Sequence, residues 1–284
     1  MKLFFSLTLI YFFTMTNFAQ TTDTIYLWPN KVPGQIAEKK EATQSLNKSG
    51  NVLRLAEVTN PAIVVFEPEA SNNNGFEIIV CPGGGYGILA IDLEGYEIAA
   101  WLNELGFTAY VLQYRIPNKR KEALYDLQRA IRVIRNKTAK ANLNTKKLGV
   151  LGFSAGGSLS ARASTRFDKE TYAETDDTDS ISSRPDFALL IYPAYLDEGE
   201  NRQLTRELLV NNKTPPMFIF ATADDTYGNS ALVMATALRE HKVPVELHVL
   251  PKGGHGYGLR SGNIAAETWP ALAELWLQKQ VLEK

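Results

Sequence analysis

This chain of 284 residues has one cysteine, three histidines and almost no net charge. Cys81 is the only cysteine, so no intrachain disulfide can form and the fold must rest on its hydrophobic core. Cys81 also ends an apolar run, which favours a buried, inert thiol over a nucleophile. The 30 basic and 31 acidic residues leave a formal net charge of −1, which offers no electrostatic footprint for nucleic acid.

An apolar run stands at the N-terminus, between Lys2 and Phe13. A short positive start, an apolar core and small or polar residues up to Ala19 are typical of a secretory signal peptide. The run falls short of the ~20 residues that a membrane span needs. We therefore predict a signal peptide over residues 1–19, a secreted or periplasmic location and no membrane span after cleavage.

From about residue 58 the sequence alternates between strand-like and helix-like segments. Strands are predicted at 63–66, 76–81, 107–113, 148–151, 187–192, 217–221 and 243–250. Helices are predicted around 98–105, 124–134, from 155, around 200–211, around 232–238 and from about 268. This alternation predicts an α/β fold, with a mostly parallel sheet covered by helices on both faces, as one catalytic domain over residues 20–284.

Two regions depart from the alternation. Residues 30–57 are polar and irregular, and we expect them to wrap the surface. Residues 166–184 are rich in carboxylates but lack the glycine and terminal glutamate of a calcium loop, so we expect a solvated loop and no metal site. The carboxylates are those of Asp168, Glu174, Asp176, Asp177 and Asp179.

The segment from Gly152 to Gly156 matches the motif G-x-S-x-G, with Ser154 at its centre. In this motif the serine occupies a tight, strained turn between a strand and a helix, and the glycines avoid collisions on either side. An apolar strand precedes the motif and a helix-compatible stretch follows it. We predict that Ser154 is a nucleophile and that the N–H of Ala155, at the start of the helix, points toward a developing oxyanion.

A serine hydroxyl needs a general base, and the chain has three histidines. His241 lies at the end of a predicted helix, where a solvated cap is the simple explanation. His248 lies inside the last predicted strand, where packing explains it. His255 lies in a glycine-rich loop just beyond that strand, at an edge where α/β sheets carry their chemistry, so it is the predicted base.

The base needs a carboxylate to orient it. Asp224 and Asp225 follow the strand that precedes the one leading to His255. The resulting chain order of Ser, Asp and His is the order that this motif requires. Spacing alone does not choose between the two aspartates, and either one is equally suited to cap the next helix.

A second oxyanion donor is expected in the run Cys81-Pro82-Gly83-Gly84-Gly85-Tyr86, which follows an early strand. Glycines let backbone N–H groups approach a ligand closely, and Gly84 and Gly85 are the predicted donors. A phosphate loop is the alternative, but the run lacks the Gly-Lys-Ser/Thr sequence and the dinucleotide spacing.

Together these motifs resemble the acetylxylan-esterase and BD-FAE-like carbohydrate-esterase branch of the α/β-hydrolases. The similarity extends over most of residues 25–280. The matching segments are Leu27-Trp28-Pro29, Pro82 to Tyr86, Asp92 to Gly95, Tyr114-Arg115, Asp126 with Arg129-Ala130, Gly152 to Gly157, and Gly253 to Leu259.

The resemblance implies an α/β-hydrolase fold and hydrolysis of short-acyl esters by Ser154, Asp225 and His255, without metal or other cofactor. Asp225 is preferred because the acid of similar proteins lies four residues after the last strand residue, here Ala221. The implied substrate is a small-molecule or polysaccharide ester, such as an acetylated xylan. Two departures bear on substrate preference: Ser158 replaces a common histidine, and the segment at 226–228 looks shortened.

Two other functions are compatible with the same fold. A peptidase would normally need a propeller or a large cap, for which the chain has no room. A non-catalytic binding protein would not need the complete set of serine, aspartate and histidine.

Overall fold

The computed structural model describes residues 23–141, 147–169 and 171–283. The signal peptide predicted over residues 1–19 lies outside these ranges. Within them, no helix combines the length and the apolar character that crossing a bilayer requires.

From about residue 89 onward, strands and α-helices alternate along the described chain, except that two strands between 188 and 222 follow one another with only a 3₁₀ turn between them. The strands are β1 (Thr24–Tyr26), β2 (Thr43–Gln44), β3 (Arg54–Glu57), β4 (Ala62–Phe66), β5 (Glu77–Cys81), β6 (Leu89–Ala90), β7 (Thr108–Gln113), β8 (Leu148–Phe153), β9 (Ala188–Ile191), β10 (Met217–Thr222) and β11 (Val245–Leu250). The α-helices are α1 (Glu97–Glu104), α2 (Arg120–Lys140), α3 (Ala155–Thr165), α4 (Asn229–Glu240) and α5 (Ile264–Leu277).

Eight of the described strands form one sheet in the order β1-β4-β7-β5-β8-β9-β10-β11. β4 is antiparallel to both β1 and β7, and all pairs from β7 to β11 are parallel. Every residue of the central strands β5 and β8 is buried. Continuous burial means that both faces of the sheet are covered, which explains why these strands read as unbroken apolar runs. The predicted α/β fold is confirmed.

The parallel strands bring distant segments of the chain to one edge of the sheet. The glycine run follows β5, Ser154 follows β8, the two aspartates follow β10, and His255 lies beyond β11. Since parallel strands end on the same side, all four segments meet there, which is where ligands bind in open α/β sheets.

Residues 30–57 do more than wrap the surface. β2 and β3 join β6 in a second, antiparallel sheet of three strands. Val52 packs with Ala90 and Leu93 in a small apolar cluster separate from the main core. This segment thereby reaches the edge of the main sheet at which Ser154 lies.

Two predicted helix positions were wrong. In place of a helix over 200–211 the structure has a 3₁₀ turn at Glu200–Arg202, because backbone bonds fold this segment onto the one before it, including Thr205 N–H to the Leu196 carbonyl at 2.8 Å. α5 begins at 264, four residues earlier than expected, because the Asn263 side chain accepts the Ala265 N–H at 2.9 Å and caps the helix.

The expectation of a fully solvated loop over 166–184 was also wrong. Asp179 is 6% exposed and contacts the Arg129 guanidinium at 2.9 Å, while Asp176 contacts the same group at 2.5 Å. Burial of a charged carboxylate costs free energy, and the paired Arg129 guanidinium offsets that cost. The loop is therefore anchored to α2 by ion pairs.

Candidate active site

Ser154 occupies a sharp turn between β8 and α3. Its backbone angles, φ 52° and ψ −116°, lie in a region that residues with side chains rarely adopt. A Cβ on Gly152 would overlap the carbonyl of Gly156, and a Cβ on Gly156 would overlap the carbonyl of Cys81. Only glycines fit at both positions, so the motif produces the strained turn for the steric reason expected from the sequence.

The structure brings Ser154, His255 and Asp225 into one hydrogen-bonded chain. Oγ of Ser154 lies 2.7 Å from Nε2 of His255, and Nδ1 of His255 lies 2.7 Å from Oδ2 of Asp225. An ionised carboxylate can only accept, so Nδ1 carries the hydrogen and Nε2 accepts from the serine hydroxyl. The arrangement can move the serine proton onto the imidazole.

Asp224, the alternative acid, faces elsewhere. It accepts the N–H groups of Gly254 and Gly253 at 2.9 and 3.3 Å. The bond from Gly254 lowers the pKa of the Asp224 carboxyl below its ordinary value. Asp224 therefore shapes the backbone of the histidine loop, while Asp225 contacts the imidazole ring.

The other two histidines lie away from the serine. His241 ends α4, where its Nδ1 lies 2.8 Å from the Ala237 carbonyl. His248 lies in the edge strand β11 and contacts Glu246 at 2.8 Å. Their positions agree with the capping and packing roles expected from the sequence.

The predicted oxyanion donors surround Ser154. Gly84 and Gly85 line the same pocket as the serine, and Ala155 is the buried first residue of α3. Gly84 has a φ of +131°, and a Cβ there would overlap the carbonyl of Ile88. The unpaired N–H groups at the start of α3 add positive partial charge on this side of the serine.

Ser154 and His255 open onto a pocket of about 680 Å³. One wall is apolar and comes from Val52, Ala90 and Leu93 together with Ile88. Another wall holds the rings of Tyr195 and Tyr227, whose centroids are 5.4 Å apart. The segment from residue 50 to 54, expected to lie on the surface, forms part of this pocket.

Sequence reasoning assigned no role to several residues of the site. Glu94 and Tyr192 are buried beside it, and Tyr195, Tyr227 and Arg260 line the pocket. Glu94 belongs to a segment singled out only for its resemblance, and a carboxylate next to glycine in an apolar stretch was the available signal. The tyrosines gave none, since 12 occur along the chain.

The described part of the chain contains no group of three or more His, Cys, Asp or Glu side chains arranged to hold a metal ion. Cys81 is fully buried, and its burial raises the pKa of the thiol to about 12, which makes it a poor nucleophile.

Comparisons with known proteins agree with this architecture. The BD-FAE family model matches residues 63–191. An acetylxylan esterase from Xylanibacter ruminicola is 29% identical over 232 residues, which are 72% of this chain and 45% of that protein. The chain thus spans less than half the length of this relative.

Two solved structures are similar over most of their length. The acetyl ester-xyloside bifunctional hydrolase from Caldicellulosiruptor lactoaceticus is 32% identical, with a TM-score of 0.71, and the match covers 90% of this chain and 95% of that one. MGS-M1, an α/β-hydrolase enzyme from a deep-sea metagenome library of the Medee basin, is 26% identical, with a TM-score of 0.61, and the match covers 86% and 98%.

The sheet, the serine turn and these similarities define the class of protein, an α/β-hydrolase. Within that class the chain belongs to the BD-FAE family.

Proposed function

We propose that this protein is a serine carboxylesterase that releases short acyl groups, in particular acetate, from carbohydrate esters of the xylan type. The observation that supports it most directly is the unbroken hydrogen-bonded chain from Ser154 through His255 to Asp225 at the mouth of a pocket. A serine held in this way is the nucleophile of acyl transfer on many folds.

In the proposed reaction, Nε2 of His255 takes the Ser154 proton while Oγ attacks the ester carbonyl carbon. The imidazolium then gives the proton to the departing alkoxide, which leaves as the alcohol. Water repeats the sequence on the acyl-enzyme and releases the acid. Asp225 keeps the hydrogen on Nδ1 and favours the imidazolium through its negative charge.

The carbonyl oxygen acquires negative charge when Ser154 attacks. N–H groups of Ala155 and of the Gly84–Gly85 loop are the proposed donors to this oxygen. Donors that are already fixed in place stabilise the transition state without reorganising, and one such donor contributes about 10²–10³-fold to the rate.

The two walls of the pocket suit the two halves of an ester. His255 must protonate the leaving oxygen, so the alcohol lies on its side of Ser154. The Tyr227 ring is there, with its centroid 5.0 Å from that of the His255 ring. Tyrosine offers an apolar face and a polar tip, which suits a sugar ring. The acyl group then faces Ile88 and the apolar wall.

The xylan-type substrate is supported by the kinds of relative that the chain resembles, an acetylxylan esterase and an acetyl ester-xyloside hydrolase. A polysaccharide substrate also fits a secreted or periplasmic protein, with residues 1–19 as its signal peptide and residues 20–284 as one catalytic domain.

The test is to incubate the purified protein with 4-nitrophenyl acetate and with acetylated xylan, and to identify the released acid. We expect acetate release that Ser154→Ala lowers by at least about 10⁴-fold. Ser164 is a buried serine on α3, the helix that follows Ser154. Ser164→Ala is the control and should stay within threefold of wild type. Equal rates for wild type and Ser154→Ala would show that Ser154 is not the nucleophile. Cleavage of peptide amides without cleavage of esters would show that the protein is a peptidase and not an esterase.

A further inference from the structure

A buried carboxylate connects the two loops on which the proposed reaction depends. Glu94 is 3% exposed. Its Oε2 accepts the Gly83 N–H at 2.7 Å, and its Oε1 accepts the Tyr192 O–H at 2.8 Å. The Tyr192 oxygen in turn accepts the Gly258 N–H at 3.1 Å. Glu94 therefore links the residue before Gly84 to a residue shortly after His255.

The parts of this connection fit closely. A Cβ added to Gly83 would lie 2.6 Å from Oε2 of Glu94 and 2.8 Å from Cβ of Ser154. The carbonyl of Gly258 accepts the Trp269 indole N–H at 2.9 Å. Glu94 thus lies directly against the Gly83 backbone, and Gly258 is held by both Tyr192 and Trp269, so we expect a displacement of the Glu94 carboxylate to be transmitted to these loops.

Glu94 is costly for stability. Burial raises the pKa of its carboxyl above the ordinary value, against the lowering effect of the bonds from Tyr192 and Gly83 and of the nearby His255. The titratable groups that face it are Tyr192, His255 and Tyr114. An apolar side chain of similar volume would avoid the desolvation cost. A role in fixing the site accounts for a carboxylate here.

We propose that Glu94 is a positioning residue for the esterase reaction proposed above, on which this inference rests. It sets the separation between the Gly84–Gly85 loop and the loop that carries His255. A displacement of about 1 Å in such a constellation costs about 10²-fold in rate. The effect falls on the transition state, so kcat should change and KM should not.

The main sheet offers a matched control at the edge opposite to the site. Glu77 is also buried, at 6% exposure, and its Oε1 accepts the Tyr110 O–H at 2.7 Å. It lies at the amino end of β5, whereas the glycine run follows the carboxyl end. Substituting Glu77 removes a comparable buried contact without touching the site.

The experiment compares Glu94→Ala, Glu94→Gln and Glu77→Ala with wild type, by kcat and KM on 4-nitrophenyl acetate and by thermal unfolding. We expect kcat to fall about 100-fold in Glu94→Ala with KM within threefold. Glu94→Gln should recover about tenfold of that loss, because its amide oxygen still accepts from Gly83. Glu77→Ala should lower the Tm while kcat stays within threefold of wild type. Tyr192→Phe, which retains the Glu94–Gly83 bond, should lower kcat about tenfold and covers the case in which Glu94→Ala does not fold.

Labelling of Ser154 by a fluorophosphonate, followed by mass spectrometry, separates the two proposals. Suppose that wild type is labelled and hydrolyses the ester, and that Glu94→Ala or Tyr192→Phe hydrolyses it at the wild-type rate. This result would overturn the positioning role of Glu94 and leave the proposed esterase function standing. The same holds if Glu77→Ala lowers kcat as much as Glu94→Ala does. A wild type that neither reacts with the label nor cleaves the ester removes the proposed function and this inference together.

Discussion

Two polar networks lie within this fold, and their ends differ. The site network starts at the Asp225 side chain, 1% exposed, and runs through His255, 27% exposed, to Ser154 at the pocket. The other network, the α2 network, joins Asp126 and Arg129 of α2 to residues outside the helix; the side chains of Asp126 and Arg115 are 0% and 1% exposed and pair at 2.8 Å. The site network opens onto a pocket, whereas the Arg115–Asp126 pair is closed within the protein.

The α2 network joins segments that are far apart in the sequence. Asp126 also accepts the Trp28 indole N–H at 2.9 Å, and Arg129 donates to the Leu27 carbonyl at 3.0 Å and pairs with Asp176 and Asp179. Four charged side chains of this network, Arg115, Asp126, Arg129 and Asp179, are all paired, so removing one partner would leave a buried charge uncompensated. In the site network the Ser154 hydroxyl faces the pocket and lies 2.7 Å from Nε2 of His255, so its oxygen can reach a bound ligand while its proton passes to the imidazole.

The largest expected effect comes from substituting Asp225, the buried end of the site network. Asp225→Asn should lower kcat by about 10³–10⁴-fold, since the amide can stabilise the wrong imidazole tautomer and carries no charge. Asp224→Asn, the matched neighbour, should lose about tenfold or less, because it bonds only the loop backbone. Steady-state kinetics on one ester decide this, and comparable losses in both variants would contradict the assignment.

The next effect is on stability and comes from breaking the α2 network. Arg129→Met should leave Asp179 buried without its main cationic partner and lower the free energy of unfolding by about 3 kcal/mol. For a chain of this size that corresponds to a drop in Tm of roughly 10 °C. Circular dichroism measures the shift, and kcat should change by less than threefold.

The control for that variant lies on the same helix. Arg135 pairs with Asp186 at 3.0 Å, but their side chains are 23% and 33% exposed. Arg135→Met should cost about 1 kcal/mol or less, as exposed ion pairs do. Equal shifts for the two arginines would show that burial of the α2 network does not set its contribution.

The smallest effect depends on pH. The bond from Arg129 lowers the pKa of Asp176 to about 2, below the roughly 3.9 of an ordinary aspartate. The carboxylate therefore stabilises the folded state above the ordinary pKa, and this contribution is lost as pH falls toward the folded value. Its side chain is 37% exposed, so solvent limits the contribution to about 1 kcal/mol.

Urea unfolding of wild type and Asp176→Asn at pH 6, 4 and 3 tests this. The difference should be full at pH 6 and should shrink at the two lower values. Asp177→Asn, the exposed neighbour, should show no such trend. A difference between wild type and Asp176→Asn that grows as the pH falls would reverse the sign of the argument.

The features that could be predicted from the sequence are those that depend on short-range pattern. The buried strands β5 and β8 were located to within two residues, because a short unbroken apolar run is typical of a strand inside a covered sheet. The serine turn was predicted because a five-residue motif carries both of the glycines that the turn requires, although one of them, Gly156, is required by its contact with Cys81 on a neighbouring strand. The predicted helix at 200–211 is absent because two of its residues, Gln203 and Thr205, make backbone hydrogen bonds with Gly199 and Leu196, and local spacing does not reveal these bonds.

Charged residues were harder to place. Asp179 was expected in solvent because its neighbours are polar, and only the packing of Arg129 from α2 against it makes burial possible. The sequence marked Glu94 only as part of a segment that resembles the family and did not reveal its role, because its two hydrogen-bond partners, Gly83 and Tyr192, are 11 and 98 residues away along the chain.

By itself the sequence determined the alternating α/β architecture, the strained serine turn and the histidine that could serve it, since each depends on short-range pattern or on elimination among few residues. Spacing left Asp224 and Asp225 open and the resemblance favoured Asp225, which the tertiary structure places against the imidazole. The tertiary structure alone decided that residues 50–54 form a wall of the pocket and that Glu94 joins two loops. These contacts connect segments far apart in the chain, and their distances are fixed only when the whole sheet is assembled.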